Sequence, residues 1–268
     1  MAETVVVEGS NNGVGSNNGV GSNNGVGNSS SYNLQPSGID NEDILFCIDI
    51  DPQSMVEMKG LTGPSERPLS RLDAIKQAIV LFVNAKLTIN RQHRFAFATL
   101  SNSVSWLREE FSSKVRSTIA AMRELSATTS SSQPELTTLF QLAAHEAEKS
   151  RTQGRILRVI LFYCRSTVRT QHQWPGNRRL FTLDIIYLHD KPGPDNCPQE
   201  VYDTLVDTLE HVTYYEGYIF ESGQASARVL FRHVSVLLSH PQQRCIQDYI
   251  NIPKPLAMNA LRVEPMAD

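Results

Sequence analysis

No stretch of this 268-residue chain approaches the roughly 20 consecutive apolar residues that a membrane-spanning helix requires. Met1 to Val7 lacks the basic flank and the longer apolar run of a secretory signal, so the expected setting is intracellular. Formal charge is only −3, which argues against partners held by bulk charge, such as a nucleic-acid backbone or a membrane surface. The four cysteines (Cys47, Cys164, Cys197, Cys245) show no CxxC spacing, and two lie inside apolar runs. That pattern predicts buried reduced thiols and excludes a disulfide framework or a cysteine-ligated zinc. No Gly-rich phosphate loop follows a strand, because glycine is concentrated in three copies of Gly-Ser-Asn-Asn-Gly-Val over residues 9–26. Those repeats carry almost nothing to bury and so cannot offset their ordering entropy. Residues 1–41 are expected to form a disordered head, 42–240 a folded domain and 241–268 an extended, partner-binding tail.

What is present is an alternation of strands and helices. Asp43-Ile44-Leu45-Phe46-Cys47-Ile48-Asp49-Ile50-Asp51 is an apolar run ended by two aspartates and then Pro52, the pattern of a strand buried on both faces. Ser70 and Asp73 make a capping-box start to a helix over 70–89, with Leu72, Ile75, Ile79 and Phe82 on one stripe. Strands are expected over 93–100, 103–107, 155–164, 180–189 and 214–220. Further helices are expected over 113–125, 134–150, 198–212 and 225–238. The short link at Ser101-Asn102 requires one antiparallel pair. The implied fold is α/β: a doubly wound, mainly parallel sheet with helices on both faces and one short antiparallel strand.

Ligands of such sheets bind beyond the carboxyl ends of the strands, where Asp49 and Asp51 fall. Three chemistries compete for them. A metal-dependent adhesion site asks for Asp-x-Ser-x-Ser, but Asp51 and Gln53 replace the serines, and Arg165, which would repel a cation, follows the strand ending at Cys164. Thr128, Thr129 or Thr137 is available as its threonine. A haloacid-dehalogenase-like Mg²⁺-dependent phosphatase asks for Asp-x-Asp, met by Asp49 and Asp51, with Asp190 and Asp195 as its distal acids. Against it stand Gln53 and the want of a partner lysine. In the third reading the degenerate site, Asp49, Asp51, Gln53 and Arg165, has lost its chemistry, the aspartates bond nearby backbone or an arginine such as Arg165, and no cofactor or metal is expected. His145-Glu146-x-Glu148 reads as a solvated helix face, and His189, His211 and His233 as core or surface histidines. Arg165, Arg169, Arg178 and Arg179 around Trp174 are either an acidic-partner patch or a solvated loop.

The ordered part resembles one family, on Ile44 to Asp51, Asn102-Ser103-Val104-Ser105-Trp106-Leu107, Arg158 to Ser166, Asp184 to His189 and, most specifically, Leu237-Leu238-Ser239-His240-Pro241-Gln242-Gln243-Arg244. It resembles the von Willebrand factor A-like scaffold subunit, the MERIT family, of the BRISC and BRCA-A deubiquitinase complexes, in a form expected of a plant. The resemblance implies a non-enzymatic subunit, nuclear and cytoplasmic, that serves DNA double-strand-break repair and ubiquitin signalling. It implies docking on a BRE-like subunit with ubiquitin-conjugating-enzyme-variant domains and, through that, on a JAMM-type zinc deubiquitinase with its MPN-like partner, without direct nucleic-acid or membrane contact. The apolar, proline-rich segment after the last helix reads independently as a groove-bound strand. The expected partner-binding residues are His240, Pro241, Arg244, Tyr249, Ile250, Ile252 and Leu256.

Overall fold

A computed structural model describes residues 38–58, 69–131, 133–176, 178–223 and 226–250. The expected disordered head, Ile252 and Leu256 lie outside these residues, apart from the head's last four positions. Strand β1 (Asn41–Asp49) occupies the middle of a six-stranded sheet. Its apolar side chains alternate: Ile44, Phe46 and Ile48 face one layer of helices, and Leu45 and Cys47 the other. Pro52 ends the strand and opens a short 3-10 helix, Pro52–Met55, capped by the Asp51 side chain. Two-residue strands β2 (Glu57–Met58) and β3 (Leu69–Ser70) form a separate antiparallel pair.

Helix α1 (Arg71–Ile89) starts where the sequence says it must: the Ser70 hydroxyl accepts from the Asp73 amide at 3.1 Å and donates to the Asp73 carboxylate at 2.8 Å. The chain continues through β4 (Arg94–Leu100), β5 (Val104–Ser112), α2 (Arg116–Glu124), α3 (Thr137–Thr152), β6 (Arg155–Tyr163), β7 (Thr182–Leu188), α4 (Pro198–Val212), β8 (Ile219–Ser222) and α5 (Ala227–Val236). Spatial order is β5-β4-β1-β6-β7-β8, with only the β4–β5 pair antiparallel. Helices α1, α2 and α5 cover one face, α3 and α4 the other. The class expected from the sequence, α/β, doubly wound and von Willebrand factor A-like, is therefore the observed one.

Two elements differ from expectation. Strand β5 runs to Ser112 rather than stopping near 107, because Arg108, Glu109 and Glu110 are exposed on a sheet edge where polar residues carry no burial signal. Strand β8 starts at Ile219, and residues 214–218 are a loop. Gly217 lies so close to β7 that a Cβ there would meet the Leu183 carbonyl oxygen at 2.2 Å.

Phe46 is the hub of the first layer. Its ring meets Phe82 edge-on at 5.5 Å and stacks on Phe97 at 5.3 Å, with Phe95 and Phe162 at 6.2 and 6.4 Å. Phe46→Ala is expected to lower unfolding free energy by about 3–5 kcal/mol in a urea titration, since the four surrounding rings on α1, β4 and β6 cannot collapse into one hole.

Candidate functional site

The carboxyl ends of β1 and β6 lie side by side, so Asp49 and the segment after Tyr163 meet. Arg165, with a fully buried side chain, lies across both aspartates. Its Nε donates to both Asp49 carboxylate oxygens at 3.1 Å, its Nη2 donates to Asp49 Oδ1 at 2.9 Å and to the Ser101 carbonyl, and Nε stands 3.7 Å from Asp51 Oδ2. Backbone amides complete the ring: Cys164 donates to Asp49 at 3.0 Å and Asp51 to Asp49 at 3.1 Å. Burial pushes the Asp49 carboxyl up, while the guanidinium and the two amides pull against that rise. The same carboxylate raises Arg165 despite its burial.

The other candidate ligands point elsewhere. Ser131 donates to Asp51, and Asp51 accepts from the Gln53 amide at 3.0 Å. The Gln53 side chain bridges to the opposite loop, accepting from the Ser166 amide at 2.8 Å and donating to Thr167 at 3.2 Å. Thr128 donates to the Ile50 carbonyl, and the Thr137 hydroxyl accepts from the Gln173 amide. Asp190, a proposed distal acid, accepts from buried Arg71 at 2.7 Å, and Arg71 also reaches the Gln53 and Cys164 carbonyls. Asp195 is exposed in a turn. A divalent cation and this guanidinium would need the same carboxylate oxygens; the arrangement present is a closed ion pair with hydrogen-bonded loops.

The arginine-rich loop is not one patch. Arg165 is buried as described, Arg169 pairs with Glu200, Arg178 with Glu148 at 3.3 Å, and Arg179 donates to the Glu210 carbonyl at 2.9 Å. Trp174 is buried against Phe140, with the Arg178 guanidinium 5.6 Å from its ring centre. His145 and Glu148 are exposed, as expected of a solvated face, whereas Glu146 is buried and pairs with Lys149. The expectation of buried thiols holds for Cys47 and Cys164, whereas Cys197 is half-buried and Cys245, after the last helix, is exposed.

At the opposite end of the sheet lies a charge cluster that no motif announced. Asp184, in the middle of β7 and fully buried, accepts from Arg158 Nε at 2.6 Å and from Arg244 at 2.6 and 3.1 Å, and takes the Tyr218 amide at 2.8 Å. Arg158 also donates to Glu42 at 3.2 Å and to the Leu237 carbonyl at 2.7 Å. Lys86 closes on Glu42 from α1, and Asp43 accepts from Arg94, Arg155 and Ser150. Burial alone would raise Asp184, Glu42 and Asp43; the cations around them win, and all three end below the ordinary carboxylate range.

Three expected partner-binding residues belong to this cluster. Arg244 has a side chain with no exposure and lies 4.3 Å above the Tyr218 ring. His240 bonds the Asp40 carbonyl at 2.9 Å, and Pro241 is buried. Their side chains face their own domain. It follows that cutting the chain at Pro241 would unbalance Asp184 as well as remove the tail. Ile250 is partly buried on the core, whereas Tyr249 is 77% exposed. Gln247 clamps the sheet edge: its side chain accepts from the Ile219 amide at 2.8 Å and donates to the Ile219 carbonyl at 2.7 Å.

No family model matches the chain. It is similar to BRISC and BRCA1-A complex member 1 of Xenopus laevis, 23% identical over 223 residues, covering 78% of this chain and 66% of that protein. The relative of that name in Homo sapiens is 24% identical over 225 residues, with coverages of 78% and 66%. The identity is low but consistent, and the chain spans just under two thirds of the length of these relatives. Among solved structures, the D319A mutant of the PilB minor pilin from Streptococcus sanguinis aligns with a TM-score of 0.50 at 11% identity, covering 77% of this chain and 62% of that one. The SpRpn10 VWA domain aligns at 0.45 and 13%, covering 72% and 94%. These likenesses concern the fold alone. Among the described residues, no helix is long and apolar enough to cross a membrane.

Two predictions test this geometry. Arg165→Met is expected to cost about 3–5 kcal/mol, because it leaves a buried carboxylate unpaired, and Asp49→Asn added to it is expected to restore part of that loss in a urea-denaturation cycle. The pH dependence is set first by His93 and His233, which burial lowers to about 4. A lowered histidine favours the folded state above its unfolded pKa and loses that advantage as protons bind the unfolded chain. Urea midpoints are therefore expected to fall from roughly pH 6.5 down to 4, and to fall further below 4 as the depressed carboxylates protonate.

Proposed function

We propose that this relative of BRISC and BRCA1-A complex member 1 is a non-catalytic scaffold subunit of a deubiquitinase complex, acting in the nucleus and cytoplasm. The observation that carries the non-catalytic part is the Arg165 guanidinium across Asp49 and Asp51, since it uses the carboxylate oxygens that a phosphatase nucleophile or an adhesion-site metal would need. The complex part is supported by the similarity to the curated relatives over 78% of the chain. On this reading the partner is a BRE-like subunit with ubiquitin-conjugating-enzyme-variant domains, which links the chain to a JAMM-type zinc deubiquitinase and its MPN-like companion. Support for DNA double-strand-break repair and ubiquitin signalling follows from that assembly.

The docking element is the tail beyond its buried root, with Tyr249, Ile250, Ile252 and Leu256 as apolar anchors. Tyr249 is the exposed member among the described residues. Each anchor that becomes buried in a partner contributes roughly 1.5–3 kcal/mol. A chain ending at Asp248 keeps Arg244 on Asp184 and Gln247 on β8. It is expected to melt near the full-length temperature and to lose most of its co-purifying partner when affinity capture is read by mass spectrometry. Full capture by the shortened chain counts against the tail as the docking element. Absence of deubiquitinase components from the full-length capture counts against the complex, and Mg²⁺-dependent phosphate-ester hydrolysis abolished by Asp49→Asn counts against the non-catalytic reading.

A further inference from the structure

We propose that the groove between α4 and the turn at Gln247–Tyr249 docks a partner segment in which apolar side chains alternate with lysine or arginine, an inference that rests on the scaffold reading and gives its partner a chemistry. The groove has a volume of about 540 Å³ and is walled by Tyr202, Val206 and Leu209 of α4, Ile219 of β8 and Ile246 of the tail. Ile246 is 56% exposed, although it is a large aliphatic residue held in place by its neighbours: Cys245 accepts from Tyr218 Oη through its carbonyl, and Gln247 grips Ile219. Leu209 and Ile219 are buried at its floor, Tyr202 and Val206 are half-buried and Ile246 stands open, so part of an apolar wall is offered to an interface core.

The rim decides the partner's charge. Asp203, Asp207 and Glu210 follow one another at i, i+4 and i+7 on α4, an exposed stripe beside the one that carries Tyr202 and Val206. Asp248 stands exposed on the tail side. Asp203 accepts from the Gln199 side-chain Nε2 at 2.8 Å, whereas the carboxylates of Asp207, Glu210 and Asp248 have no cationic partner among the described residues. Glu216 uses its carboxylate on the Gln247 amide at 3.0 Å. The groove's own cation, Arg179, donates to the Glu210 carbonyl at the end of α4 rather than to these carboxylates. Basic side chains flanking an apolar one would complete the rim, and acidic ones would be repelled. Because the Gln247 side-chain carboxamide already fills the outer hydrogen-bonding edge of Ile219, recognition there runs through side chains rather than an added strand.

The test uses the full-length chain and three labelled synthetic peptides of equal length, alternating Leu/Lys, Ser/Lys and Leu/Glu, followed by fluorescence anisotropy. The Leu/Lys peptide is expected to bind, and the other two to bind at least about tenfold more weakly, each lacking one of the two complementary features. Asp207→Lys with Glu210→Lys is expected to weaken Leu/Lys binding by about tenfold, while Glu109→Lys with Glu110→Lys on exposed β5 leaves it unchanged. Equal binding of the Ser/Lys peptide, or equal weakening by the β5 pair, overturns the proposal. If no peptide binds a chain that still captures deubiquitinase components, the groove fails and the scaffold reading stands. If the peptide pattern holds for a chain that captures none, the groove stands and the scaffold reading fails.

Discussion

A carboxylate taken out of water needs a cation brought in with it, and this domain meets that requirement at both ends of one sheet. At the carboxyl ends of the strands, Asp49 holds Arg165. At the other end, Asp184 lies between Arg158 and Arg244, and Glu42 between Arg158 and Lys86. At each end one cation comes from an irregular segment: the loop after β6 supplies Arg165, and the chain after α5 supplies Arg244. Fixed positions for those segments follow from charge balance rather than from regular backbone pairing. The buried pairs are weak evidence for net stability, because desolvation offsets much of their attraction. Their effect is to specify which loop sits where.

The hydrophobic half of the architecture was legible. The run through Phe46, the stripe of Leu72, Ile75, Ile79 and Phe82, and the Ser70 cap predict a buried strand and an amphipathic helix on local grounds, and both are present. The pairing of Asp49 with Arg165 was also reachable, because both residues end apolar runs that must lie side by side in a parallel sheet. The Arg158–Asp184–Arg244 cluster was not. Arg158 and Asp184 each interrupt an apolar strand, a signal that a buried charge exists, but the partners are 26 and 60 residues apart in sequence and no spacing rule connects them. Edge strand β5 hides its far end for the opposite reason: its residues are polar because they are exposed, and polarity alone reads as loop.

The same cluster redraws the tail. In the sequence, Leu237 to Arg244 is the most specific motif of the resemblance, and His240, Pro241 and Arg244 within it are expected partner-binding residues. In the fold it is the place where the chain returns to the sheet: Arg158 takes the Leu237 carbonyl, His240 takes that of Asp40, and Arg244 enters beside Tyr218. Residues up to Gln247 are therefore part of the domain's own frame. The large apolar side chains left exposed here are Ile246 and Tyr249, on either side of that last anchoring side chain.

Arg165 also changes what the sheet's carboxyl end depends on. A guanidinium attached by peptide bonds is made with the chain in one-to-one amount, cannot diffuse away, and cannot be withdrawn by a competing chelator. Neighbouring loops tied to it keep their arrangement whatever the local supply of divalent ions. A domain wired this way holds these loops by a permanent contact rather than an ion-responsive one.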